Sequence, residues 1–538
     1  MTRTLPVALG AVLLAFAGCH KSDPNSVEDQ VALVKKAKTA RERERALENV
    51  RRLGRKEAVP GLIGALGEPN PKLKGQIATV LGELKDRAAV TALADSLDLG
   101  GGNAEINAAN KEIARALGEL GGPEAVKPLL QLLKGTRDNF VRVEAIAALG
   151  RLKDRAAVDL LSQMATDDSL DALINKKAIL ALSEINDPSA LPVYLRMLFF
   201  DRGNRTTFYP ESSFAIFKLG AAANDRVLSL LKGEDKELMD WAREQKVVAP
   251  AIFAKAAQIE SDLQDRRAVP ALLGLLKFED PVRDHKLEVR RNAADALGRM
   301  RVPEAAAVLA STLGEEDSLS RSVYMRALVQ IGDLSVMPKL VGCAKQGNFG
   351  AREYCILGVV LLGGKSDAKE FDGFLKAEPA LFDKECKELG DEVDCAKEKE
   401  STLAARVKII EGYRKVLETA GACSEQKCLE ALLVDAEPVA RERAAYALGR
   451  RGVVGALPAL FTAIKRDVKD VVDLNPRFAA ICAVDWITAA SADARKSAAA
   501  EAAGLQTLVK SDERRPLTQR IAEEVLRLAY KLERSNKS

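Results

Sequence analysis

The triplet Ala-Leu-Gly returns at Leu117, Leu149, Leu297 and Leu448, and weaker copies centre on Val50, Leu81, Leu182, Leu328, Val359 and Val484. Neighbouring copies lie 36 (Leu81 to Leu117), 32, 33, then 31 and 31 residues apart (Leu297 to Leu328 to Val359). A period of this size marks a row of small modules, none able to bury its apolar face without its neighbours. A chain built this way stacks into a solenoid.

Residues 139–164 show what one module contains. Val141, Ala145, Ile146, Ala148, Leu149 and Leu152 recur at helical spacing, which predicts an amphipathic first helix. Lys153-Asp154-Arg155 is a short polar turn, and Ala157, Val158, Leu160, Leu161 and Met164 predict the inward stripe of a second helix. Two helices joined by so short a turn form an antiparallel hairpin. Pro60, Pro128, Pro192, Pro270, Pro338 and Pro458 stand early in other second helices, where first-turn amides lack intrahelical partners anyway. With 47% hydrophobic but only 4% aromatic residues, the core is made of Ala, Leu and Val, and small residues let successive hairpins approach closely. The expected fold is all-α, a superhelix of stacked antiparallel helix pairs, about a dozen in number.

Seven positions before the central residue stands a base in eight copies: Arg43, Lys74, Arg142, Arg290, Arg321, Arg352, Arg441 and Arg477. Asp138, Asp317 and Asp473 precede three of them by four positions. A basic ladder for phosphates is one reading. An Asp–Arg or Arg–carbonyl ladder along the stack is the favoured one, because the signature returns once per module whatever the ligand.

Val-Arg-Val-Glu-Ala-Ile-Ala-Ala-Leu-Gly-Arg-Leu-Lys-Asp-Arg-Ala-Ala-Val (141–158) resembles the short HEAT-like repeats of the bilin-lyase type, and the resemblance runs from about residue 28 to about 530. It implies a HEAT-like or armadillo-type fold and leaves function open among lyases, adaptors and scaffolds. In related solenoids the second helices line the concave surface, so they are expected to face a groove here.

Residues 1–18 read as a signal peptide: Arg3, an apolar Leu5–Phe16 stretch too short to span a bilayer, then Phe16-Ala17-Gly18-Cys19. Small residues before a Cys resemble the lipobox of bacterial lipoproteins, which implies diacylglyceryl transfer to Cys19; Phe16 replaces the usual Leu. An ordinary cleaved signal is the alternative. His20 in place of an Asp after the Cys suggests the outer membrane, and residues 19–29 serve as a tether.

The remaining organisation is HEAT-like repeats over 30–364, an irregular Cys-containing insertion over 365–435, and C-terminal repeats with capping helices over 436–538. In an oxidising envelope Cys386–Cys395 and Cys423–Cys428 are expected as local disulfides, with Cys343–Cys355 as a third. A four-thiolate zinc site fits their spacing poorly. Cys482 reads as a buried core thiol.

Enzyme chemistry finds little support. The chain has two His, His20 beside the anchor and His285, which is expected on an exposed loop. No phosphate-binding glycine loop, nucleophile elbow or metalloprotease helix is present. The 81 basic and 77 acidic residues nearly cancel and intermingle, which argues against a nucleic-acid groove. No cofactor, metal or small-molecule substrate is expected.

Aromatics concentrate between Tyr194 and Phe217. Phe199, Phe200, Phe208 and Tyr209, with Arg202 and Arg205, form a candidate protein-binding site, since aromatic and Arg side chains anchor interfaces. The alternative is that these rings plug a gap between irregular modules. The expected function is a non-catalytic protein-binding scaffold or adaptor, lipid-anchored in the bacterial envelope and facing the periplasm. The alternatives are a lyase- or chaperone-like role on a cofactor-bearing protein and a purely structural envelope component.

Overall fold

The computed structural model describes residues 22–100, 102–202, 206–313, 317–389, 395–512 and 518–534. Cys19, His20 and Arg205 lie outside them, as does the side chain of Cys395. The described chain is almost wholly helical and forms two compact units, residues 1–193 and 194–538. Among the described residues, strand pairing is confined to Asp201–Arg202 against Thr206–Thr207, antiparallel.

Most repeats run first helix, left-handed turn, one 3-10 turn, short second helix. In the 139–164 module the first helix spans Asn139–Leu152 and Lys153 closes it with φ 56°. The Asp154 side chain then accepts from Ala156 N, starting the 3-10 turn Arg155–Ala157 ahead of the helix Val158–Thr166. Lys85-Asp86, Asn186-Asp187, Gln264-Asp265 and Gly332-Asp333 repeat the device. The aspartate is thus a cap, satisfying an amide that the turn leaves without a backbone partner.

The Ala-Leu-Gly triplet is the joint between modules. A Cβ added to Gly118 would lie 2.7 Å from Ala148 Cα, one on Gly150 2.9 Å from Ala181 Cα, and one on Gly298 2.6 Å from Ala327 Cα. Gly449 stands likewise against Ala483. The Gly of one triplet therefore receives the Ala of the next, and the first helices pack almost backbone to backbone. Second helices are short and touch each other little. The closely packed side of the stack belongs to the first helices.

The base seven residues before the triplet centre reaches back to carbonyls that end the preceding second helix. Arg43 donates to Ala37 O at 3.0 Å, Arg142 to Thr136 O at 3.1 Å and Arg290 to Phe278 O at 2.9 Å. Arg352 donates to Gly347 O at 3.1 Å, and Arg441 to Asp435 O at 2.7 Å. Two modules carry Asn instead and make the same bond, Asn110 to Asp98 O and Asn175 to Met164 O, both at 2.8 Å. Arg477 is buried at the equivalent place. Lys74 and Arg321 make no such bond among the described residues. Asp138 and Asp317 cap their own helices, while Asp473 pairs with Arg441 of the preceding module at 2.5 Å.

The irregular stretch 365–435 contains two long helices, Glu370–Leu389 and Cys395–Ala420, followed by the short helix Gln426–Leu432. Arg352 and Glu378, both fully buried, form an ion pair that ties the first of them to the preceding repeat. Cys343–Cys355 and Cys423–Cys428 are disulfides with Cα atoms 5.9 and 5.4 Å apart. Cys386 is disulfide-bonded as well. Cys482 is a buried thiol, its pKa pushed up to about 12 by burial.

In the second unit the C-terminal helix, Gln519–Arg534, returns to much earlier helices. Its apolar face (Ile521, Val525, Leu528, Leu532) is buried, and its polar side reaches three partners. Glu524 meets Arg299, Arg527 meets Asp262 at 2.9 Å, and Lys531 meets Asp485 at 2.8 Å. The Tyr530 ring stands 5.8 Å from both Phe214 and Phe217. This unit is therefore closed on itself, its inner first-helix surface occupied by its own last helix.

Candidate protein-binding surface

The aromatic segment 199–209 is mainly a plug. Phe208 is fully buried, which removes it as a surface anchor, and its ring lies 6.0 Å from that of Phe200. Phe199, Phe200 and Tyr209 are half-buried. The Lys255 ammonium sits 3.9 Å above the Tyr209 ring, and burial pushes the Tyr209 phenol well above its ordinary pKa. Arg202 lies in the two-residue strand next to this plug. His285 is placed in the first turn of the helix Arg283–Arg299, with Nδ1 3.4 Å from Asp280, instead of on a loop. The described residues hold no group of three or more His, Cys, Asp or Glu able to bind a metal ion.

A different surface stands out in the first unit. The Asp138 carboxylate accepts from Phe140 N at 2.9 Å and Val141 N at 3.0 Å, and Asp171 accepts from Leu173 N at 2.8 Å. This capping sets the facing of the first turn. Val141 and Ile174 are turned fully inward, while Phe140 and Leu173 are left 76% and 52% exposed at equivalent places on adjacent first helices. Leu180, seven residues beyond Leu173 and hence on the same side of its helix, is exposed as well.

The flank of this surface is polar and ordered. Arg115 bridges Glu144 of the next first helix at 2.7 Å and Glu112 of its own at 2.9 Å. The bond to Glu144 raises the Arg115 pKa above its ordinary value. Further back, Lys72 bridges to Glu44 and Arg51 to Glu83. Towards residue 193 the first helices thus exchange ion pairs for exposed Phe and Leu. An apolar centre rimmed by charge is how protein-binding surfaces are built. The sequence held one sign of it: the helix Asn139–Leu152 carries apolar residues beyond the stripe its core needs, and Phe140 is the surplus.

A family model described as HEAT repeats matches residues 103–175, 141–202 and 282–354. Among solved structures the chain is similar to Kap121p bound to Pho4p (13% identity, 94% of this chain, 60% of that chain, TM-score 0.47). It is also similar to Kap95 in its complex with Nup1 (11% identity, 93% of this chain, 70% of that chain, TM-score 0.41). Human deoxyhypusine hydroxylase in complex with glycerol is matched at 19% identity over 57% of this chain and 96% of that chain, with a TM-score of 0.19. Identities this low speak to fold alone. No curated protein is significantly similar to the chain.

Proposed function

We propose that this HEAT-repeat solenoid is a non-catalytic protein-binding scaffold, held in the bacterial cell envelope by acyl chains on Cys19 and facing the periplasm. The observation that carries the binding role is the pair Phe140 and Leu173, exposed at equivalent places on adjacent, rigidly packed first helices. Large apolar side chains on a rigid base bind with little loss of conformational freedom, and covering them with a partner removes apolar surface from water. The envelope location is supported by Ala17-Gly18-Cys19 after a short apolar run, and by disulfides at Cys343–Cys355 and Cys423–Cys428, which persist in oxidising compartments. His20, rather than Asp, after the lipidated Cys favours the outer membrane.

Capture from solubilised envelopes by the full-length protein tests the binding role. A Phe140→Glu/Leu173→Glu variant should lose the partners that the unaltered protein retains, with helix content unchanged, since both side chains are exposed. Equal capture by the two proteins would reject this surface. Phe200→Ala and Tyr209→Ala, which loosen the plug, should lower stability and leave capture intact.

A further inference from the structure

A cavity of about 490 Å³ lies beside the C-terminal helix of the second unit, within the range of about 300–1,000 Å³ usual for small-molecule sites. Phe217 and Tyr530 present their rings to it, and Leu263, Ala489 and Leu532 extend the apolar wall. Both of its carboxylates are matched: Asp485 accepts from Lys531 of the same lining, and Asp262 accepts from Arg527 behind it.

Two further guanidiniums complete the lining. Arg495 is fixed by its own helix end, donating Nε to Thr488 O at 3.0 Å and Nη2 to Ala489 O at 3.2 Å. Arg534 is exposed and lies 5.7 Å from the centre of the Tyr530 ring. Neither has a carboxylate partner among the described residues. The cavity thus combines an aromatic and aliphatic wall with two positive charges that no described carboxylate matches. A neutral apolar ligand would leave those charges unused, and a cation would be repelled by them.

The geometry points to a binding site for a single-chain anionic amphiphile, its alkyl chain along the Phe217 and Tyr530 rings and its carboxylate or phosphate on Arg495 and Arg534. A guanidinium offers paired N–H donors that match either anion. Each methylene that reaches the apolar wall should tighten binding by up to about fourfold. This site is separate from the Phe140–Leu173 surface and does not depend on it.

Calorimetric titration of the full-length protein with octanoate, decanoate, dodecanoate, dodecyl phosphate and dodecyltrimethylammonium, each below its micelle concentration, tests the assignment. The expected result is saturable one-site binding of the anions that strengthens with chain length, with the ammonium at least tenfold weaker. The tighter of dodecanoate and dodecyl phosphate identifies the preferred head group. An Arg495→Ala/Arg534→Ala variant should bind dodecanoate at least tenfold more weakly. Ala489→Trp, at an exposed position, should fill the cavity and block dodecanoate without loss of helix content. Absence of saturable binding, equal affinity for the ammonium, a flat chain-length series, or affinity unchanged in both variants would overturn the assignment.

Discussion

Arg299 and Glu524, 225 positions apart, face each other through two parallel hydrogen bonds of 2.9 and 2.6 Å inside the second unit. Burial opposes ionisation of Glu524, but the Arg299 guanidinium outweighs it and holds the carboxyl below its usual range. Arg299 also forms an ion pair with Asp295 at 3.1 Å and lies 5.2 Å from the centre of the Phe478 ring. The C-terminal helix is therefore clasped by charge as well as by apolar contact. Glu524→Ala leaves a buried guanidinium short of its partner and should cost about 3–5 kcal/mol in denaturant unfolding. Arg299→Ala combined with Glu524→Ala should cost less than the sum of the single changes, as a double-mutant cycle would read.

The Gly–Ala joint predicts opposite signs for one kind of substitution. Gly298→Ala places a methyl 2.6 Å from Ala327 Cα and should destabilise the protein by about 1–3 kcal/mol, because backbone has to move. Gly274→Ala, in the helix Val269–Leu275 with nothing within 4 Å of the new Cβ, should stabilise it by about 0.5–1 kcal/mol. Thermal unfolding of the two variants side by side checks both signs.

Glu260 gives the stability a pH signature. It is fully buried, neither carboxylate oxygen accepts a hydrogen bond among the described residues, and burial raises its pKa to about 8. Unfolded, the carboxyl ionises near about 4.3, so the folded chain holds the proton over a pH range where the unfolded chain has lost it. That contribution is complete below about pH 4 and is lost as pH rises towards 8. Glu260→Gln should match the unaltered protein near pH 4 and exceed its stability by about 5 kcal/mol at pH 8–9, the separation of the two pKa values at about 1.4 kcal/mol per unit. Urea unfolding at the two pH values measures the difference.

Much of this architecture is written locally. The Ala-Leu-Gly period, the prolines early in second helices and the cysteine pair Cys423–Cys428 all report on neighbours a few residues or one module away, and each is readable from spacing. Asn110 and Asn175 are less legible, because they replace a base by a shorter donor that reaches the same carbonyls. The clasp was not legible: Glu524, Arg527 and Lys531 look like an ordinary solvated helix face until Arg299, Asp262 and Asp485 are brought to them. Phe140 is hidden in the sequence for a related reason, since a surplus apolar residue in an apolar helix is distinguished only by where its neighbours point. The aromatic cluster drew attention by composition, yet buried Phe208 shows that local enrichment serves packing as readily as binding.

Lipid attachment gives a prediction of its own. Metabolic labelling with an alkyne fatty acid should place label on the protein, and Cys19→Ser should remove it and release the chain from membranes. Label retained in that variant would point to a different anchor.

The binding role is tested most directly by site-specific photo-crosslinking in intact cells. A photoreactive residue at position 140, and separately at 173, should give the same discrete protein adduct, while one at exposed position 159 of a second helix gives none. Adducts that are absent at 140 and 173, or that appear equally at 159, would contradict the account.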